Sequence, residues 1–237
     1  MRNPSFIENS KIKSYVLRSG RITSAQKQSY ALLSDNYLIP FESELKAPNI
    51  YFKNNNPVIL EIGFGMGAAT AIIAENNPDK NYLGLEVHRP GIGKLLWEIE
   101  NRCLSNIRII EHDAVEVAEK MIMPSTLSAI HIFFPDPWPK KKHHKRRLIK
   151  RPFTDVLAGL LITGGYLYMA TDWEEYAQWA LEELNCTPGL TNSYTCFAEP
   201  QAWRPQTKFE HKGLRKNHKV WELFYHRNEE QVRGLDS

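Results

Sequence analysis

Four carboxylates share one kind of position, at or just beyond the end of a short apolar run: Glu61 in VILEIGFGMG, Glu86 in YLGLEV, Asp113 in NIRIIEHDA and Asp136 in LSAIHIFFPDP. Acids so placed can accept from ribose hydroxyls or a base amino group, or stand beside a reacting centre. Gly63, Gly65 and Gly67 follow the first of them, where glycine allows a ligand close to the backbone and a helix amino terminus lies behind. With Ala68 they satisfy the G-x-G-x-x-A form of a dinucleotide site, a pattern that alone also describes a plain strand-to-helix turn. Glu86 stands at a separation that suits both ribose hydroxyls of an adenosine. Asp113 suits an adenine amino group, and equally the amino-terminal cap of a helix over VEVAEKM.

The fourth acid sits in PDPWPK, residues 135–140. Three prolines preclude helix and sheet hydrogen bonding there, so the segment is a stiff turn. Between Lys140 and Arg151 lie eight Lys or Arg and no acid; removing these eight from the chain's 30 leaves 22 bases against 27 acids. The positive charge is therefore local, although the chain's net charge is only +3. A second acid-free stretch, Asn9 to Ser34, holds Lys11, Lys13, Arg18, Arg21 and Lys27, and KGLRKNHK at residues 212–219 forms a third cluster. A solvated face is the usual reading of a charge run. Here the run follows a turn built to hold an acid and a tryptophan, so it points to a polyanion gripped beyond Asp136 and Trp138.

The elements that must position these residues alternate. VILEIG, YLGLEV, NIRIIEHDA, LSAIHIFF and GGYLYMATD read as strands. AATAIIAENN, GIGKLLWEIENR, VEVAEKM, FTDVLAGLL and WEEYAQWALEEL read as helices. Strand and helix in alternation mean an α/β fold, a mainly parallel doubly wound sheet covered on both faces. SYTCF and KVWELFYHR are expected to add two further strands. Residues 1–40, polar, basic and weakly periodic, read as a mobile arm, and 41–237 as a single domain. The start lacks the apolar centre of a secretory signal and no run suits a membrane span, so a cytoplasmic chain is expected. Cys103, Cys186 and Cys196 are too scattered for a disulfide framework or metal site, and the eight histidines lack partners at ligand spacing.

Taken together, LEIGFGMG, GLEVHRPG, EHDA, FFPDPWPKKKHHKRR, ATDW and TKFE, in this order, resemble the bacterial tRNA (guanine-N7)-methyltransferases. These modify a guanine in the tRNA variable loop using S-adenosylmethionine. The resemblance covers most of the chain, and RSGRIT is similar to the family's basic arm. It implies a Rossmann-like class I methyltransferase fold with an antiparallel carboxy-terminal strand. It further implies that Glu61, Glu86, Asp113 and Asp136 contact the cofactor, with Asp136 catalytic. Lys140, Asp172, Thr207, Lys208, Phe209 and Glu210 would bind the substrate, and Lys142, His143, His144, Lys145, Arg146 and Arg147 would touch RNA. The implied partner is tRNA, for a monomer or homodimer without metal or membrane.

Guanine N7 carries a free lone pair, so methyl transfer to it requires no proton abstraction. Holding nucleophile and methyl carbon in line supplies about 7 to 11 kcal/mol in the best cases. Asp136, Asp172 and Glu210 are expected to orient the base and offset its new charge, with Lys140 donating towards O6. Asp172 reads equally as a cap of the following helix. Trp138 or Phe209 would stack on a displaced guanine; alternatively, Trp138 seals the turn against Pro137 and Pro139. Rival readings are methyl transfer to another acceptor, a nicotinamide-dependent oxidoreductase, and a non-catalytic RNA-binding module.

Overall fold

The computed structural model describes residues 13–16, 22–206, 210 and 219–228. Its centre is a seven-stranded sheet of order β3-β2-β1-β4-β5-β7-β6. β1 (Val58–Ile62) pairs in parallel with β2 (Asn81–Leu85) and β4 (Leu127–Phe133), and β3 (Ile107–Ile110) extends the sheet beyond β2. β5 (Leu161–Thr171) lies parallel to β4 on the other side. β1 and β2 are buried along their whole length, as continuous apolar strands between two helix layers must be. β7 (Trp221–Arg227) runs antiparallel to β5, and β6 (Leu190–Asn192) antiparallel to β7.

The strands are connected by α2 (Ala68–Asn76), α3 (Arg89–Asn101), α4 (Ala114–Lys120) and α5 (Phe153–Leu160), while α6 (Glu174–Asn185) follows β5. Two buried clusters result. One joins Leu60, Ile130, Leu157, Leu167 and Leu184, and the other Ile59, Ile73, Leu95, Ile107 and Ala129. Residues 59 and 60 point to opposite clusters, the alternation a pleated strand requires.

Two expectations are corrected here. Residues 24–37 are not an arm without regular structure: they form a helix, α1 (Ser24–Tyr37). Thr23 Oγ1 accepts from the Gln26 amide at 3.3 Å and Gln26 Oε1 accepts from the Thr23 amide at 2.8 Å, closing a capping box. The helix lies on α3, where Gly93 leaves room for the Gln26 carbonyl; a Cβ there would meet that oxygen at 2.5 Å. The Tyr30 hydroxyl donates to Glu111, and Leu38 bridges Ile109 beside β3. The weak periodicity that hid α1 reflects a helix that buries mainly small or polar residues, Gln26 and Ser29.

The second correction concerns SYTCF. The strand comes before it, in β6, and Asn192 turns the chain by accepting from the Tyr194 amide and donating to the Cys196 carbonyl. Of the neighbouring residues, Ala198 makes a single bridge to Glu222. Among the described residues, no helix is long and apolar enough to cross a membrane.

Candidate active site

At the carboxyl ends of β1, β2 and β4 a cavity of about 240 Å³ brings together Gly63, Glu86 and Asp136, with Ile62, His112, Phe134 and Pro135 also lining it. Ligand sites in open parallel sheets lie at such strand ends. Gly67 begins α2 with φ 70°, and a Cβ there would meet Leu95 Cβ at 2.6 Å, so glycine is required by both conformation and space. The Glu86 carboxylate ties the turn to β2 by accepting from the amides of Gly65 at 2.8 Å, Val87 at 2.7 Å and His88 at 3.0 Å.

Glu61 precedes Ile62 and Gly63 of the cavity wall and is 2% exposed. Its Oε2 is buried without a hydrogen-bond partner. Loss of hydration pushes its pKa up to about 8, Thr70 opposing and the Glu86 charge adding to the rise. A buried acid with an unused oxygen is suited to a cationic or hydrogen-bond-donating group on a ligand.

The far wall is the proline turn. Phe134 is the last ladder partner, donating to the Ala170 carbonyl at 2.8 Å. Phe134 and Trp138 have left-handed φ values of 50° and 46°, unusual for residues with side chains. The Trp138 ring is committed: its Nε1 donates to the Ser14 carbonyl at 3.0 Å, His143 packs edge-on at 5.7 Å and Arg146 lies over the ring at 5.2 Å. Ser14 and Tyr15 also line the cavity, a contribution invisible in the sequence because Ser14 and Trp138 stand 124 positions apart.

A family model described as "Putative methyltransferase" matches residues 55–223. The chain is 47% identical to the tRNA (guanine-N(7)-)-methyltransferase of Nitrosospira multiformis over 92% of its own length and 95% of the relative's. It is 46% identical to the enzyme of the same name from Thiobacillus denitrificans, covering 92% and 96%. The chain belongs to the tRNA (guanine-N(7)-)-methyltransferase family. Among solved structures, the 16S rRNA methyltransferase KamB superposes with a TM-score of 0.54 at 14% identity, covering 92% of this chain and 99% of that one. An S-adenosylmethionine-dependent O-methyltransferase from Thermotoga maritima superposes at 0.51 and 14% identity, covering 91% and 69%. At such identities the likeness is one of fold, a Rossmann-like class I methyltransferase.

Within this methyltransferase several expected residues stand differently from the sequence reading. Asp113 is the cap of α4, accepting from the Val115 amide at 2.9 Å, and it lines a neighbouring cavity of about 500 Å³ with Lys13, Glu116 and Arg146. Glu61, Gly65 and Gly67 adjoin the first cavity without lining it. Asp172 does not cap α6: the cap position is Trp173, without a side-chain bond. Lys140, Lys142 and Lys145 are exposed around the short 3-10 turn Lys141–Arg146, and His143 and His144 are half-buried. Around His143, loss of hydration and then the neighbouring cations lower its pKa. Arg147, expected to touch RNA, is buried instead, its side chain 0% exposed. Glu210 is buried too, its carboxylate 2.8 Å from Arg204, whose other ion pair is Glu222 at 2.6 Å. Thr207, Lys208 and Phe209, and most of RSGRIT, lie outside the described residues. No group of three or more His, Cys, Asp or Glu that could hold a metal occurs among the described residues.

Proposed function

We propose that this cytoplasmic methyltransferase, as a monomer or homodimer, moves a methyl group from S-adenosyl-L-methionine to N7 of a variable-loop guanine in tRNA. The reading is carried by the cavity that Gly63, Glu86 and Asp136 share. The residues fit the cofactor: Glu61 keeps a buried, unpartnered oxygen, and Glu86 lines the cavity at the end of β2. When bound, the cofactor supplies an electrophilic methyl group on a sulfonium.

Glu61, Gly63, Gly65, Gly67, Glu86, Asp113 and Asp136 would hold it. Asp136, exposed at the rim of the proline turn, would orient the guanine and offset the positive charge its ring acquires. N7 arrives with a free lone pair, so Asp136 has no proton to remove. Asp172 follows the neighbouring strand and would share that task, while Lys140 would donate towards O6. Glu210, paired with Arg204, would act by holding its segment, with Thr207, Lys208 and Phe209 completing the base site. Lys142, His143, His144, Lys145 and Arg146 would meet phosphates, their field adding to affinity more than to sequence choice.

The test is methylation of unmodified tRNA with labelled S-adenosylmethionine, followed by nucleoside mapping. N7-methylguanine is expected in the variable loop. Another methylated nucleoside, or tight binding of NAD without binding of S-adenosylmethionine, defeats the reading.

A further inference from the structure

We propose that Arg147 is a positioning residue: it holds the turn carrying Asp136 against α6, and it is not part of the RNA-binding surface. This rests on the reading of Asp136 given above.

The turn needs an outside hold for a chemical reason. Pro135, Pro137 and Pro139 have no amide hydrogen, so the segment has lost three of the donors by which a turn closes on itself. Among the described residues, no backbone-to-backbone hydrogen bond involves residues 135–139. Carbonyls remain to be gripped, and gripping a carbonyl requires a donor from elsewhere. Arg147 supplies it, its Nε donating to the Pro137 carbonyl at 3.0 Å.

Nη2 and the face of the guanidinium are anchored on α6, while Nη1 is buried without a hydrogen-bond partner among the described residues. Nη2 donates to Glu175 Oε1 at 3.1 Å, and the group lies over the rings of Tyr176 and Trp179 at 5.2 and 5.0 Å. A planar cation with several donors can stack and donate at once, which an ammonium does poorly. The chain just beyond is pinned to the same helix. The Ile149 amide donates to the Tyr176 hydroxyl at 3.2 Å and Trp179 Nε1 donates to the Ile149 carbonyl at 2.7 Å. α6 is the helix that begins after Asp172. Arg147 therefore links the strand end carrying Asp136 to the one carrying Asp172, and sets the spacing between two acids assigned to one base. Its neighbours Lys142 and Lys145 are exposed and are spared this duty.

Arg147→Lys keeps the charge and removes the fork. Turnover at saturating tRNA and S-adenosylmethionine should fall at least tenfold, with KM for tRNA and the salt dependence of tRNA binding as in the parent. Lys145→Ala should do the reverse, acting chiefly by raising KM for tRNA and flattening the salt dependence. Arg147→Lys that turns over within twofold of the parent, or that weakens tRNA binding as Lys145→Ala does, overturns the proposal. Should Arg147→Lys not fold, Glu175→Gln reads the same hold from a half-exposed partner: a turnover loss of threefold or more at unchanged KM is expected, and parental turnover overturns it. Limited trypsin digestion of the ligand-free protein reads the turn without reference to activity. Cleavage after residues 140–142 should be several-fold faster in the Arg147 or Glu175 variant, and unchanged cleavage also overturns the proposal. A parent chain that makes no N7-methylguanine would defeat the assigned reaction while leaving the digestion to decide the role of Arg147.

Discussion

Two turns face each other across the cavity, and they are stabilised in different ways. The glycine turn after β1 is held mainly by backbone groups, with the Glu86 carboxylate on the Gly65 amide: Gly67 donates to the Phe64 carbonyl at 2.9 Å and Gly63 to the Leu85 carbonyl of β2 at 2.8 Å. Its left-handed residues are glycines, for which that conformation costs little. The proline turn after β4 places Phe134 and Trp138 in the same region of backbone space, at about 1–3 kcal/mol each for residues with side chains. It is held through side chains instead: Trp138 Nε1 on the Ser14 carbonyl and the Arg147 guanidinium on the Pro137 carbonyl. A turn closed mainly by backbone groups can recur in many folds, whereas one held by particular side chains is specific to its own chain. The first suits a cofactor shared by many enzymes and the second a particular acceptor.

Substitutions on each side should separate these roles. The largest effect is expected from Asp136→Ala, a fall in turnover of about 10²–10³-fold, the scale for losing one charge-stabilising group. Its cofactor affinity, measured by calorimetry, should stay within a few-fold of the parent; parental turnover would remove Asp136 from the chemistry. Gly67→Ala tests the other side. Left-handed strain and the encounter with Leu95 should cost about 1–3 kcal/mol, read as a lower Tm and weaker cofactor binding.

Glu61 gives a smaller, pH-dependent signature. Its folded pKa of about 8 lies above the ordinary 4.5, so between those values the folded chain keeps a proton that the unfolded chain has released. Stability of the ligand-free protein should therefore decline as pH rises through that window. A cationic ligand favours the ionised form, so cofactor affinity should rise by up to about tenfold per pH unit from about pH 6 to about pH 7.5. Glu61→Gln should flatten both trends, and a parental slope in that variant would show another group responsible. The smallest effect belongs to the basic turn: Lys145→Ala should lower the logarithmic salt slope of tRNA binding by about 0.7–0.9 if it covers one phosphate.

How legible each region was follows from the range of its interactions. Glu61, Gly63, Gly65, Gly67 and Glu86 stood out in the sequence because acids and glycines follow apolar runs there, and the structure places Gly63 and Glu86 on the cavity. Both readings of Asp113 were open in the sequence; in the structure it makes the capping bond to Val115 and lines the adjoining cavity. Arg147 was misread because a run of cations looks uniform, and nothing in the run marks which member turns inward. The signal that was available was its place next to Leu148 and Ile149, where the chain turns apolar and enters the core. Arg204 pairs in the interior with Glu210 and with Glu222 of β7, and the pairing of a loop residue with a strand residue leaves no pattern in either segment.

Periodicity, prolines, glycines and the sites of acids after apolar runs were enough to establish an α/β sheet and the strand ends where chemistry would gather. These features act through backbone geometry and solvation over a few residues, and any chain with the same pattern would carry them. Which cation points to solvent and which clamps a carbonyl, that residues 24–37 pack as a helix on α3, and that Ser14 meets Trp138 were settled by folding. Those choices depend on which distant groups are left to satisfy a buried donor or acceptor, and that is known only once the elements have come together.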